Sequence, residues 1–78
     1  MTEKNQRLAD CNITFHLING QTVTQSYKKD VPSLLWDSIK EDFLSIQETF
    51  EVEPENFLKV LLPKANILYI TLKVIESS

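Results

Sequence analysis

Glycine, cysteine and histidine each occur once in this chain of 78 residues, at Gly20, Cys11 and His16. A single glycine excludes the phosphate-cradling loops of nucleotide-binding proteins, which need several so that backbone amides can close on the ligand. One cysteine cannot form an internal disulfide, so stability has to come from a packed core or from assembly, and a reducing cytoplasm is the setting that fits. Zinc prefers cysteine and histidine ligands, and calcium wants roughly six to eight oxygens from a turning loop. Neither set is present, although Glu51, Glu53 and Glu55 would share one strand face. No apolar run approaches the roughly 18 to 20 residues of a spanning helix. The polar start Met1-Thr2-Glu3-Lys4-Asn5-Gln6-Arg7 does not support a secretory signal. The expectation is a protein with no cofactor, no metal, no membrane association and no small-molecule substrate.

A chain this short buries only roughly 60 to 65% of its unfolded surface and cannot support two cores. One domain is expected over residues 10–76, after a flexible tail over residues 1–9. The formal net charge of -3 hides an asymmetry. From Asp37 to Glu55 seven acids face the single Lys40, a local charge of -6, while the remainder holds seven bases and four acids, or +3. Lys28, Lys29, Lys59, Lys64 and Lys73 lie in strand-like segments. There they guard sheet edges against aggregation or form a ligand patch.

Asn12 to Tyr27 reads as a hairpin around Asn19-Gly20. Cys11, Ile13, Phe15 and Leu17 take one face of the first strand and Thr14, His16 and Ile18 the other, because side chains alternate with period two. A two-residue loop would set the apolar rows of the two strands on opposite faces. A three-residue loop of Ile18, Asn19 and Gly20, with Gly20 in the left-handed region, instead pairs Phe15 with Val23 and Cys11 with Tyr27. Ile18 then sits at the tip, either capping the core or exposed to a partner.

Leu34 to Ile46 has helical spacing, with Asp30 as a candidate N-cap and Pro32 in the first turn. Leu35, Trp36, Ile39, Phe43 and Ile46 fall within a sector about 100° wide, the stripe a helix buries on a sheet. Ser33, Asp37, Glu41 and Glu48 face water, and Leu34 and Leu44 fall outside the stripe. Phe50 and Val52 alternate with Glu51 and Glu53 in a short strand that Pro54 is expected to end. Phe57 to Ile75 reads as two strands broken at Pro63-Lys64-Ala65-Asn66. In the last, Leu68, Ile70, Leu72 and Val74 share one face opposite Ile67, Tyr69, Thr71 and Lys73, and this apolar density predicts a central strand. The fold class expected is α+β in ββαβββ order, one amphipathic helix packed on a curved, mainly antiparallel sheet.

Nucleophilic catalysis would need Cys11 or a serine close to a base, and His16 lies five residues away in the opposite phase of the same strand. The two should not meet, and no enzyme is expected. Basic and aromatic residues, Lys28, Lys29, Lys64 and Lys73 with Tyr27 and Tyr69, could line a nucleic-acid surface, weakened by the acidic total.

The segment Ile13-Thr14-Phe15-His16-Leu17-Ile18-Asn19-Gly20 with Val23, followed by Val60-Leu61-Leu62-Pro63-Lys64-Ala65-Asn66-Ile67-Leu68-Tyr69-Ile70, resembles the two motifs of Sm-like small barrels. That resemblance implies rings assembled through strand edges and RNA binding at loops, with Lys64 and Asn66 at matching positions. The bulged hairpin leading to a helix, and the last strand Asn66 to Val74, are similar to ubiquitin-like β-grasp modules. The end Glu76-Ser77-Ser78 has no diglycine, so this second resemblance implies a docking module and not a modifier.

The function expected is a small non-enzymatic interaction module, an adaptor or regulator, that binds a protein partner or itself through a sheet edge and exposed apolar residues. The contacts expected are Ile18, Leu34, Leu44 and Tyr69. The alternative is an Sm-like RNA-binding oligomer using Lys28, Lys29, Lys64 and Asn66.

Overall fold

In the computed structural model, which describes residues 7–75, five strands and one helix follow in the expected ββαβββ order. They are β1 (Ala9–Leu17), β2 (Thr22–Asp30), α1 (Pro32–Leu44), β3 (Thr49–Glu55), β4 (Leu58–Pro63) and β5 (Ile67–Ile75), with a 3-10 turn over Lys64–Asn66. Residues 1–6 of the expected tail, and Glu76 of the expected domain, lie outside the described residues.

The strands form two hydrogen-bonded sets, β2-β1-β5 and β3-β4, every pair antiparallel and the whole not closed into a barrel. The two sets meet where the Glu53 backbone N–H donates to the Gln25 side-chain oxygen at 3.1 Å. The hairpin has the expected register, Phe15 opposite Val23 and Cys11 opposite Tyr27. Its turn is closed by Gly20 N–H donating to the Leu17 carbonyl at 3.0 Å and Leu17 N–H donating to the Gln21 carbonyl at 2.9 Å. Gly20 has φ +88°, a backbone that a Cβ disfavours.

Cys11, Ile13 and Phe15 are fully buried on the inner face of β1, and Leu35 and Ile39 of α1, Phe50 and Val52 of β3, Leu62 of β4 and Ile67 of β5 close over them. Phe15 and Phe50 stack at a tilt with ring centroids 5.2 Å apart, and Phe43 stacks on Phe50 at 6.2 Å. Those contacts tie β1, β3 and α1 together through three rings.

Five expectations are corrected. The helix begins two residues earlier and its N-cap is Val31, not Asp30, which ends β2. Pro32 at the first helical position forces Val31 into extended backbone (φ -93°, ψ 112°), and Asp30 only accepts a bond from the Val31 N–H at 3.1 Å. The helix also ends early, at Leu44, because Ser45 turns back to the Asp42 carbonyl, donating from Oγ at 2.8 Å. Ile46 therefore leaves the buried stripe and is 96% exposed, and Phe43 at its edge is 44% exposed.

Pro54 does not end β3, which runs on to Glu55 with an irregular register between Val52 and Glu55. The chain is re-aimed there by Phe57 at φ +67°, whose N–H donates to the Glu53 carboxylate at 3.1 Å. The central strand is β1, and β5 is at the sheet edge. Finally, Leu68 is out of phase with Ile70 and Leu72. Leu17 lies opposite Ile67 and His16 opposite Tyr69, so Leu68 is an extra residue bulged from the ladder and 63% exposed, while Ile67 turns into the core.

Adding a methyl at Gly20 meets no atom within 4 Å, so only backbone strain acts. Gly20→Ala should cost about 1–2 kcal/mol in urea-unfolding free energy.

A candidate interaction groove

Where α1 passes beside β5, an apolar groove of about 400 Å³ opens. Trp36, Ile39, Phe43 and Leu44 line it from the helix and Leu68, Tyr69 and Ile70 from the strand, with Lys40 the one charged side chain among them. Leu44 is 81% exposed, and Leu68 and Tyr69 are also open to solvent. Beside the groove, β5 pairs only with β1, so the outer row of its backbone N–H and C=O groups has no strand partner among the described residues.

Lys64 holds this arrangement in place. Its ammonium reaches back from the turn before β5 to the end of α1, donating to the carbonyls of Asp42 at 2.6 Å, Phe43 at 3.1 Å and Ser45 at 3.2 Å. It also lies 6.0 Å and 5.6 Å from the Phe43 and Phe50 ring centroids. A cation at these carbonyls meets the negative end of the helix dipole and satisfies acceptors that no helical N–H can reach. Since α1 carries no basic residue in its last turn, the charge comes from a distant part of the chain.

Of the expected partner contacts, Leu44 and Tyr69 both line the groove, the Tyr69 ring itself being stacked on His16 on the other face of β5. Leu34 is exposed at the other end of α1 and does not line it. Ile18 is exposed at the β1–β2 turn, where its N–H donates to the Asn66 carbonyl at 2.9 Å. Its aliphatic side chain therefore does not cap the core.

The expected nucleic-acid quartet does not converge. Lys28 and Lys29 lie beside Asp10, with Lys28 Nζ 3.9 Å from its carboxylate and the Lys29 N–H donating to it at 3.0 Å. Asn66 lies beside Ile18, at the far end of β1, and Lys64 is two residues before it in the same turn. Seven steps along a strand, from Asp10 to Leu17, separate the two pairs by roughly 23 Å. Lys64 is moreover committed to the helix end.

The outer face of the three-stranded sheet is polar. Thr24, Thr14 and Thr71 form a row across it, and Thr14 and Thr24 share a hydrogen bond at 3.0 Å. His16 stacks on Tyr69 with centroids 4.2 Å apart and shares a hydrogen bond with Thr71 at 3.1 Å. Cys11 is on the opposite, buried face of the same strand, so the thiol and the imidazole point apart.

Sequence reasoning missed Trp36, Ile39, Lys40, Phe43, Leu68 and Ile70 as lining residues. Trp36 and Phe43 belong to the helical stripe and read as core, and only their place at its edge could have marked them. The bulge that exposes Leu68 has no local signal. Phe57 has the sequence pattern of a strand residue but stands wholly exposed at the β3–β4 turn.

Comparison with known proteins gives no match: no family model, no curated protein and no solved structure matches this chain. The Sm-like and β-grasp resemblances rest on the motif residues alone. Among the described residues, no helix is long and apolar enough to cross a membrane.

Lys64→Met keeps the stem that packs on the rings and removes the charge, and should cost about 1–2 kcal/mol in urea unfolding. A loss below a few tenths would mean that the helix end does not depend on it. A second outcome concerns alkaline pH. Burial first, then Asp30 and Asp10, raise the Cys11 thiol above its ordinary 9.0, and burial first, then Asp30 and Asp42, raise the Tyr27 phenol above its ordinary 10.0. The unfolded chain releases these protons at lower pH than the folded one, so stability is intact below about pH 9 and falls as pH rises through the ordinary values. Tyr27→Phe should make the fall in urea midpoint between about pH 9 and pH 11 shallower.

Proposed function

We propose that this chain is a small non-enzymatic protein-interaction module whose docking surface is the groove between α1 and the free edge of β5. The carrying observation is the coincidence of two unmet needs at one place. An apolar groove wants side chains to fill it, and a strand edge beside it wants backbone partners. An extended segment laid along β5 meets both, gaining ladder hydrogen bonds while alternate side chains enter the groove. That recognition needs no acid, base or nucleophile. The adaptor or regulator role, and a cytoplasmic location, belong to the same reading, the latter supported by a single thiol held buried and free.

The RNA-binding alternative draws less support, because Lys64 is spent on the helix end and the remaining candidate lysines sit at the opposite end of the sheet.

Leu44→Asp tests the docking reading. Immobilised wild-type chain should retain a protein from the lysate of its own source that the variant does not, while the melting temperature moves by no more than about 4 °C, since Leu44 is on the surface. Equal retention by a folded variant would remove the groove from the interaction.

A further inference from the structure

The two edges of the three-stranded sheet are built differently. β2 ends in Lys28, Lys29 and Asp30, has a register irregularity opposite Ala9 and Cys11, and is approached by β3. These are the usual defences of an edge. β5 runs for nine residues with Lys73 as its one charge and its one bulge at Leu68, near its start, and it exposes Leu68, Tyr69, Val74 and Ile75. A strand so apolar has the composition of an interior strand. The other open strand, β4, is shorter, ends in Pro63 and pairs its Lys59 with Glu51 at 3.8 Å.

The occupant follows from the order of side chains along β5. When the strand is laid antiparallel on itself about its midpoint Thr71, Ile70 falls opposite Leu72, Thr71 opposite Thr71, and Lys73 opposite Tyr69. Apolar meets apolar on the inner face. On the outer face the two lysines are kept apart, each over an aromatic ring that attracts a cation. Centring on Lys73 would set the two ammonium groups against each other, and centring nearer either end would leave part of the strand unpaired. A two-fold axis perpendicular to the sheet requires an inner face to meet an inner face, a condition this register satisfies.

We propose that β5 pairs antiparallel with β5 of a second copy of this chain, centred on Thr71, joining two three-stranded sheets into one of six and placing Leu72 and Val74 of each copy at the groove of the other. This rests on reading the groove as a docking surface and names what fills it. Leu72 of one copy comes beside Ile70 of the other, and Val74 comes against the bulge at Leu68, so apolar residues exposed on an edge are covered. Phe43 and Leu44 of α1 then flank an occupied groove.

Equilibrium sedimentation of the purified chain at concentrations up to about 100 μM should give twice the monomer mass of 9.0 kDa. Val74→Lys should give the monomer mass with an unchanged circular dichroism spectrum, whereas Leu61→Lys on β4 should remain dimeric. Register is read separately by crosslinking. Directly opposed residues of an antiparallel pair have Cα atoms about 4.5–5.5 Å apart, within disulfide reach. Thr71→Cys should therefore give a covalent dimer under mild oxidation, each pair of thiols losing two electrons and two protons to the added oxidant, while Lys73→Cys should not, being offset by roughly 13 Å from its own copy. Cys11 is buried and does not compete. A monomeric wild-type chain, a dimeric Val74→Lys variant or equal crosslinking at both positions overturns the pairing. A monomer whose captured partner is lost on Leu44→Asp overturns self-pairing and leaves docking standing; a dimer crosslinked through position 71 with capture indifferent to Leu44→Asp keeps the pairing of the β5 edges and overturns its extension into the groove.

Discussion

Burial of the inner face of β1 is the constraint on which the remaining structure hangs. Among the described residues Cys11, Ile13 and Phe15 are the three most completely buried side chains, and they belong to the one strand that has neighbours on both sides. At about 1.5–3 kcal/mol for each large apolar side chain removed from water, this single row is worth as much as the net stability of many small domains. Every other element is positioned by covering part of it. The helix sets Leu35 and Ile39 over the row, and the β3–β4 hairpin brings Phe50, Val52 and Leu62 against it without joining the main ladder. Because the hairpin packs through side chains, its backbone edge and that of β5 have no strand partner among the described residues.

A second constraint decides where the groove falls. An isolated helix of 13 residues is marginal in water and takes its stability from packing. α1 is anchored by Leu35 in its first turn, by Ile39 near its middle and by Lys64 at its end, and Lys64 opens the three-residue turn that leads into β5. The same lysine therefore completes the helix and sets the distance between α1 and the start of β5. The groove walls, Phe43 and Leu44 on one side and Leu68 to Ile70 on the other, are the residues next to that anchor. Replacing the ammonium alters the groove through its walls and not through any contact with what binds there.

Much of this was legible from residue order. The period-two alternation of β1, the three-residue turn and the apolar helical stripe follow from local geometry, and Gly20 in the left-handed region was the cheapest way to keep Phe15 opposite Val23. Where the sequence misled, a long-range contact overrode a local pattern. Ile46 fits the stripe, but the helix stops before it because Ser45 and Lys64 take the Asp42 carbonyl. Lys64 read as a surface cation because nothing near it in the chain tells of a helix end 19 to 22 residues away. Leu68 was placed on the wrong face because one bulged residue inverts the phase of everything before it.

The misreading of β5 as a central strand is of another kind. Its composition does say interior, with eight of its nine residues uncharged and most of them apolar, and the described residues supply a ladder neighbour on one side only. Natural edges carry charges, prolines or bulges in the middle of the strand because an unprotected edge recruits other chains. β5 carries its bulge at one end and its single lysine where it opposes an aromatic ring and not another lysine in a symmetric pairing. A strand under selection only to remain an edge would gain by a charge at Val74 or Leu68, and the absence of one leaves the pattern of the strand and its position in the monomer in conflict. A second layer of pairing resolves that conflict without moving any element, since the groove and the free backbone already lie along the same side of β5.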